Sequence, residues 1–188
     1  MKHYVKNALL CGAAFVSVLS VSGCNSALPF TKNAVDLNKT YTASADINCG
    51  NVEAKAEITR LGGGEWEFSF SEPKSLAGMT LSLNENGYTA SLGGLSFSAE
   101  NNEGYSTAAD IIASTADGLA ENNDGGSSQD GVITFSTEYN GKTVTMNVSE
   151  ETGDIISLKC PYYKLAVYFS DQTECAPEST EECGLVEE

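Results

Sequence analysis

Histidine is almost missing from this sequence: the single copy is His3, and ten basic residues face 26 acidic ones for a formal net charge of −16. Past residue 3 there is no imidazole for a Ser-His or Cys-His nucleophile, for a general base working near neutrality, or for a usual zinc site. Nor does the chain contain a glycine-rich phosphate loop or a nucleophile-elbow pattern. Carboxylate-only and serine-lysine chemistry are the enzymatic routes left open, and the expectation is a non-catalytic protein without a cofactor. Scarce positive charge also excludes nucleic acid as a partner, because so anionic a chain repels phosphate backbones. Asp124 and Asp130 lie in a glycine-rich loop but lack EF-hand spacing and its closing glutamate, so no metal is expected.

A long apolar run is lacking too. The one candidate, Ala8 to Val21, falls short of the roughly 20 residues that span a bilayer. It follows Lys2 and Lys6 and ends at Val21-Ser22-Gly23-Cys24, the layout of a cleaved export signal. The last four residues resemble the bacterial lipobox. That resemblance implies a diacylglycerol on Cys24, cleavage before it, residues 1–23 as signal peptide, and a lipid anchor on the outer face of a bacterial membrane in the cell envelope. An ordinary secretory signal cut near Gly23 is the alternative. The 165 residues from Cys24 onward keep all 26 acids but eight basic residues, a charge of −18, and suffice for one domain, expected to be a monomer.

Asn25 to Thr40 is polar and broken by Pro29, so residues 24–40 read as a lipidated cysteine and tether. From Tyr41 to about residue 170 the pattern is that of a folded domain, and 171–188 reads as an acidic, disordered tail. Of the cysteines left after Cys11 and Cys24, a Cys49–Cys160 disulfide is expected. Cys175 and Cys183 could close a small loop; the alternative is that some of the four stay reduced.

Within the domain, apolar and polar residues alternate in the two-residue period of half-buried strands. Tyr41, Ala43, Ala45 and Ile47 form the first set, Val52, Ala54, Ala56 and Ile58 the second, and Trp66, Phe68 and Phe70 the third, which ends at Pro73. Met79, Leu81 and Leu83 lead into Asn86-Gly87, a hairpin signal, followed by Tyr88, Ala90 and Leu92; after Gly93-Gly94 come Leu95, Phe97 and Ala99. A helix begins at Ser106 or Thr107, with Ala108, Ile111, Ile112, Thr115, Ala116 and Leu119 on its apolar edge. Glu121 to Gly131 reads as loop. Strands resume with Ile133 to Tyr139, the turn Asn140-Gly141, Val144 to Val148, Ile156 to Cys160, and Tyr163 to Phe169.

These elements make an α+β domain: about nine mostly antiparallel strands in a curved sheet, covered on one face by one main helix. The serial strands, the Trp66 strand running to Pro73, the short connection, the Asn86-Gly87 turn and the later helix resemble the bacterial lipoprotein-sorting proteins LolA and LolB. The likeness spans roughly Tyr41 to Phe169. It implies an unclosed barrel lidded by helices around an apolar cavity that accepts acyl chains of lipids or lipoproteins. Under that resemblance Trp66, Phe68, Phe70, Leu81, Leu92, Phe97, Ile112, Val144, Met146, Leu165 and Val167 line the cavity, although the same residues would serve an ordinary packed core. The competing reading is a lipid-tethered interaction module with a solid core that binds another envelope protein.

Overall fold

A computed structural model describes residues 35–100 and 107–175. Short turns join β1 (Tyr41–Cys49), β2 (Val52–Gly62), β3 (Glu65–Glu72), β4 (Thr80–Asn84), β5 (Gly87–Leu92) and β6 (Leu95–Glu100), so each pairs antiparallel with the next. Helix α1 (Ala108–Glu121) follows. The chain then builds β7 (Ser127–Gln129), β8 (Val132–Tyr139), β9 (Lys142–Ser149), β10 (Ile155–Cys160), a 3-10 turn (Pro161–Tyr163) and β11 (Leu165–Glu174). β11 closes back onto β1, giving one sheet in the order β6-β5-β4-β3-β2-β1-β11-β10-β9-β8-β7. Two runs of hairpins thus diverge from the centre of the sheet, α1 carries the chain from one edge to the other, and the barrel stays unclosed.

Among the described residues eleven strands replace the nine or so expected. β7 lies inside the segment read as loop, too short and too polar to show alternation, and pairs with β8 through Ser127–Thr134 and Gln129–Val132. The domain also reaches beyond residues 41–170. Val35 and Leu37 pack against the core, β11 runs to Glu174, and the Cys175 amide donates to the Thr40 carbonyl at 3.0 Å.

The Cys49–Cys160 disulfide is not formed; both thiols are free, as is Cys175, while Cys183 lies outside the described residues. Register gives the reason. Leu165 on β11 pairs with Cys49 of β1 on one side and with Cys160 of β10 on the other. The two cysteines therefore stand two strand spacings apart, roughly 10 Å, where a disulfide needs Cα atoms within about 7 Å.

Helix α1 starts where its sequence places a cap. The Thr107 hydroxyl accepts from the Asp110 amide at 3.1 Å, and the Thr107 amide donates to the Asp110 carboxylate at 3.0 Å, a reciprocal capping box. Ala109, Ile111, Ile112, Ala113, Thr115, Ala116 and Leu119 are buried, and the helix packs against β8. Small residues on the helix let it sit close over β8, where Ile133 and Phe135 are at 2 % exposure or less.

The sheet turns differ in a way that matters at its edge. Asn140 and Gly141 both take positive φ, as a tight hairpin between β8 and β9 requires. Between β4 and β5, however, the closing pair is Asn84–Gly87, so Gly87 is already a strand residue, at φ +143°. A Cβ there would lie 2.1 Å from the Ala99 carbonyl oxygen on β6. Gly87→Ala is therefore expected to destabilise the protein by about 1–3 kcal/mol and to speed amide exchange selectively in residues 88–99. Gly118→Ala, where a Cβ meets nothing within 4 Å on the helix surface, should stabilise by about 0.5–1 kcal/mol in the same urea titration.

Candidate functional site

Inward-facing residues of β1 to β6 fall into three rows that cross the strands. The first runs Tyr41, Arg60, Trp66, Leu83, Tyr88, Ala99; the second Ala43, Ile58, Phe68, Leu81, Ala90, Phe97. The third holds Ala45, Ala56 and Phe70 and reaches Leu92 and Leu95 at the far side of the sheet.

Arg60 breaks the apolar character of the first row. The alternation Ala54, Ala56, Ile58, Arg60 turns it inward, and its side chain is 2 % exposed. Its burial is tolerable because its donors find acceptors. Nε and Nη2 each lie 2.9 Å from Oδ1 of Asp117 on α1; Nη2 also donates to Asn38 Oδ1 at 3.1 Å, and Nη1 donates to the Lys39 carbonyl at 2.8 Å. The second carboxylate oxygen of Asp117 accepts from Trp66 Nε1 at 2.8 Å and from the Gly64 amide at 3.0 Å. One aspartate thus ties the helix to β2, to β3 and to the turn between them. The guanidinium sits 5.9 Å from the Trp66 ring centre, and Tyr41 meets that ring edge-on at 6.0 Å.

Tyr41 is 2 % exposed, and its hydroxyl finds no hydrogen-bond partner among the described residues. Burial pushes its ionisation well above the ordinary tyrosine range; Arg60 opposes the shift and Asp117 adds to it.

The second and third rows change from sealed to open across the sheet. Ala43, Ile58 and Phe68 are fully buried, Leu81 and Ala90 are half-buried, and Phe97 is 62 % exposed. In the third row Ala45 and Ala56 are buried, Phe70 is half-buried, Leu92 is 42 % exposed and Leu95 80 %. The same apolar surface is therefore core under the helix and bare at β5 and β6. Where the two regimes meet, a cleft of about 190 Å³ opens between the first half of α1 and β3 to β5, with Trp66, Leu83 and Tyr88 as floor and Asp110, Ser114 and Asp117 on the helix side.

The residues read from the sequence as cavity wall divide along this boundary. Trp66, Phe68, Ile112, Val144, Met146, Leu165 and Val167 are packed in the core at 2 % exposure or less. Phe70 and Leu81 stand at the transition, and Leu92 and Phe97 lie on the open part. The structure brings Trp66, Phe68, Leu81 and Phe97 onto one face, whereas Val144, Leu165 and Val167 belong to the half of the sheet beyond β1. Cys24 lies outside the described residues. Arg60 and Asp117 do not stand out in the sequence as candidates, yet they organise the site. The legible signal was parity: a lone arginine at an inward position of a strand calls for a buried acid. Among the described residues no group of three or more His, Cys, Asp or Glu is placed to hold a metal ion.

No protein-family model and no curated protein matches this chain. Solved structures with similar folds include an uncharacterized conserved protein from Thermus thermophilus, with TM-score 0.49 and 10 % identity over 74 % of this chain and 81 % of that one. A DUF1329 family protein from Desulfovibrio piger gives 0.41 and 12 % over 77 % and 89 %. A LolA superfamily protein from Nitrosomonas europaea gives 0.36 and 8 % over 72 % and 86 %. At these scores the overlaps assign no function, and the functional argument rests on the geometry of this chain.

Removing one partner of a buried ion pair leaves the other charge unmatched. Asp117→Ala is accordingly expected to cost about 3–5 kcal/mol in urea unfolding and to shift Trp66 fluorescence. Tyr41 supplies a separate pH test. Its folded-state ionisation lies above its unfolded-state value of 10.0, so its contribution is fully present below pH 10 and is lost as pH rises beyond it. Tyr41→Phe should change stability by no more than about 1 kcal/mol at neutral pH and should flatten the loss above pH 10, read from melting temperature against pH.

Proposed function

We propose that this is a non-catalytic, lipid-anchored protein of a bacterial cell envelope that holds acyl chains of a lipid or lipoprotein between helix α1 and the open part of its sheet. The observation that carries the reading is the continuity of the apolar rows. One surface passes without interruption from beneath the helix, over Leu81 and Ala90, to bare Leu92, Leu95 and Phe97. A soluble domain has no packing use for the exposed part, and contiguous bare apolar area beside a cleft marks a place where something apolar binds.

The cleft of about 190 Å³ is smaller than the roughly 300–1,000 Å³ of ordinary ligand pockets. Loading therefore needs α1 to move outward from β3 to β5. Beyond its apolar contacts, the helix is attached to Arg60 and Trp66 through Asp117, so moving it outward breaks these bonds as well as uncovering apolar surface. The lipobox-like sequence before Cys24 supports the anchor, since it would hold the domain where acyl chains are found.

A second reading, a tethered module with a solid core that binds another envelope protein, draws support from the close packing of Trp66, Phe68, Val144 and Met146. Native mass spectrometry of the chain purified from membranes, followed by solvent extraction, separates the two. The carrier reading expects co-purifying acyl lipid beyond the anchor. Leu92→Ser with Phe97→Ser should diminish it without changing the circular dichroism spectrum, because both side chains are exposed, and Asp117→Asn should speed uptake of a fluorescent fatty acid. A clean mass without uptake of added fatty acid would leave the module. Incorporation of labelled fatty acid, lost in Cys24→Ser, reads the anchor independently.

A further inference from the structure

We propose that strand β6 is a homodimer edge, on which a second copy of the chain pairs antiparallel through its own β6 about a two-fold axis at Phe97. The first observation is charge. From Asn86 to Ala99 the chain carries fourteen residues without a charge, the longest such run after Lys39, in a protein of net charge −16. That run is the β5–β6 hairpin, and it forms one edge of the sheet. Two copies repel each other over most of their surfaces and meet without repulsion here.

The second observation is register. Gly93 and Gly94 both have positive φ and join Leu92 to Leu95 in a two-residue hairpin, whose closing pair exchanges main-chain hydrogen bonds. Alternation along the ladder then turns the main-chain groups of Leu95, Phe97 and Ala99 toward β5 and those of Ser96 and Ser98 outward. Among the described residues nothing pairs with that outer side. In an antiparallel pairing centred on Phe97, Ser96 and Ser98 of one copy bond to Ser98 and Ser96 of the other, Leu95 faces Ala99, and Phe97 faces its own copy. Each Glu100 falls opposite a Gly94, so no like charges meet. The strand is self-complementary in size as well as in charge.

The open backbone groups also choose among occupants. A sheet edge cannot enter hydrocarbon without losing the hydrogen bonds of its free amides and carbonyls, whereas a second strand satisfies them. Pairing would join the open apolar faces of two copies into one trough across Phe97. The inference replaces the monomer expected from the sequence, and it rests on the edge and not on ligand binding.

The test uses the full chain. Sedimentation in mild detergent is expected to give twice the monomer mass. Ser98→Pro removes an outward amide and no main-chain bond to β5, its side-chain bond to Thr89 being the other loss, and Phe97→Lys places like charges face to face; both should return the protein to monomer with unchanged circular dichroism. In cell membranes, Phe97→Cys should crosslink to itself, because non-hydrogen-bonded partners bring Cβ atoms to about 4.5–5.5 Å, while Ser98→Cys, whose copies would stand about 7–8 Å apart, should not. Monomeric mass together with no Phe97→Cys dimer overturns the proposal, as does a crosslink to a different protein. Membrane flotation of the same samples reports the anchor separately.

Discussion

Four hydrogen-bond donors converge on the carboxylate of Asp117, and the arrangement of the domain follows from them. A guanidinium buried to 2 % exposure between a sheet and a helix is tolerable only with a full set of acceptors. Arg60 finds them in Asp117, in the Lys39 carbonyl and in Asn38. The requirement fixes three things together: the seat of α1 on the sheet, the orientation of the Trp66 ring, and the docking of residues before β1, which a reading of the sequence assigns to a tether. Apolar contacts alone would let a face of alanines and isoleucines slide. The ion pair gives the helix one register.

That register decides where the helix covers the sheet and where it leaves off. Asp110, Ser114 and Asp117 face β3 to β5 across the cleft floored by Trp66, Leu83 and Tyr88, and the helix also packs against β8. The inward rows continue past its reach to β6, where no other described element meets them. Closed core and open face are therefore one surface divided by the length and seat of a fourteen-residue helix. A longer or unlatched helix would draw the boundary elsewhere.

The strands were legible because each keeps one wet face, so the period of two survives in β1, β2, β3, β8 and β9. It also placed Trp66, Phe68, Leu81 and Phe97 on a common side. Their division into buried and exposed was not legible, since Phe68 and Phe97 look alike in sequence and differ by which strand separates them from the edge. β7 carries no alternation, and its existence depends on a neighbour, β8, that a local pattern does not see. The cysteine expectation failed for a related reason. Cys49 and Cys160 both end strands near the same end of the sheet, but β11 inserts between them, and strand order is a property of the whole chain. Arg60 and Asp117 stand 57 positions apart, and only the inward parity of Arg60 announced that an acid would come to it.

The two edges of the sheet are treated in opposite ways. β7 is three residues long, holds no apolar side chain, and is followed at once by Asp130, while Ser128 donates to Glu150 beside it. Short length and charge are the ordinary means by which an edge is kept from pairing. β6 has neither lysine nor proline, and six residues with Leu95 and Phe97 bare. On its outward-turned face Thr89 is hydrogen-bonded to Ser98 and Ser91 to Ser96, which ties β5 to β6 along an unbroken register. An unprotected, regular edge whose one charge is the terminal Glu100 invites strand addition, and an acidic chain that shields its other edge supplies general repulsion against nonspecific partners. Bare β6 beside shielded β7 confines association to one edge, the edge at which the apolar rows run out.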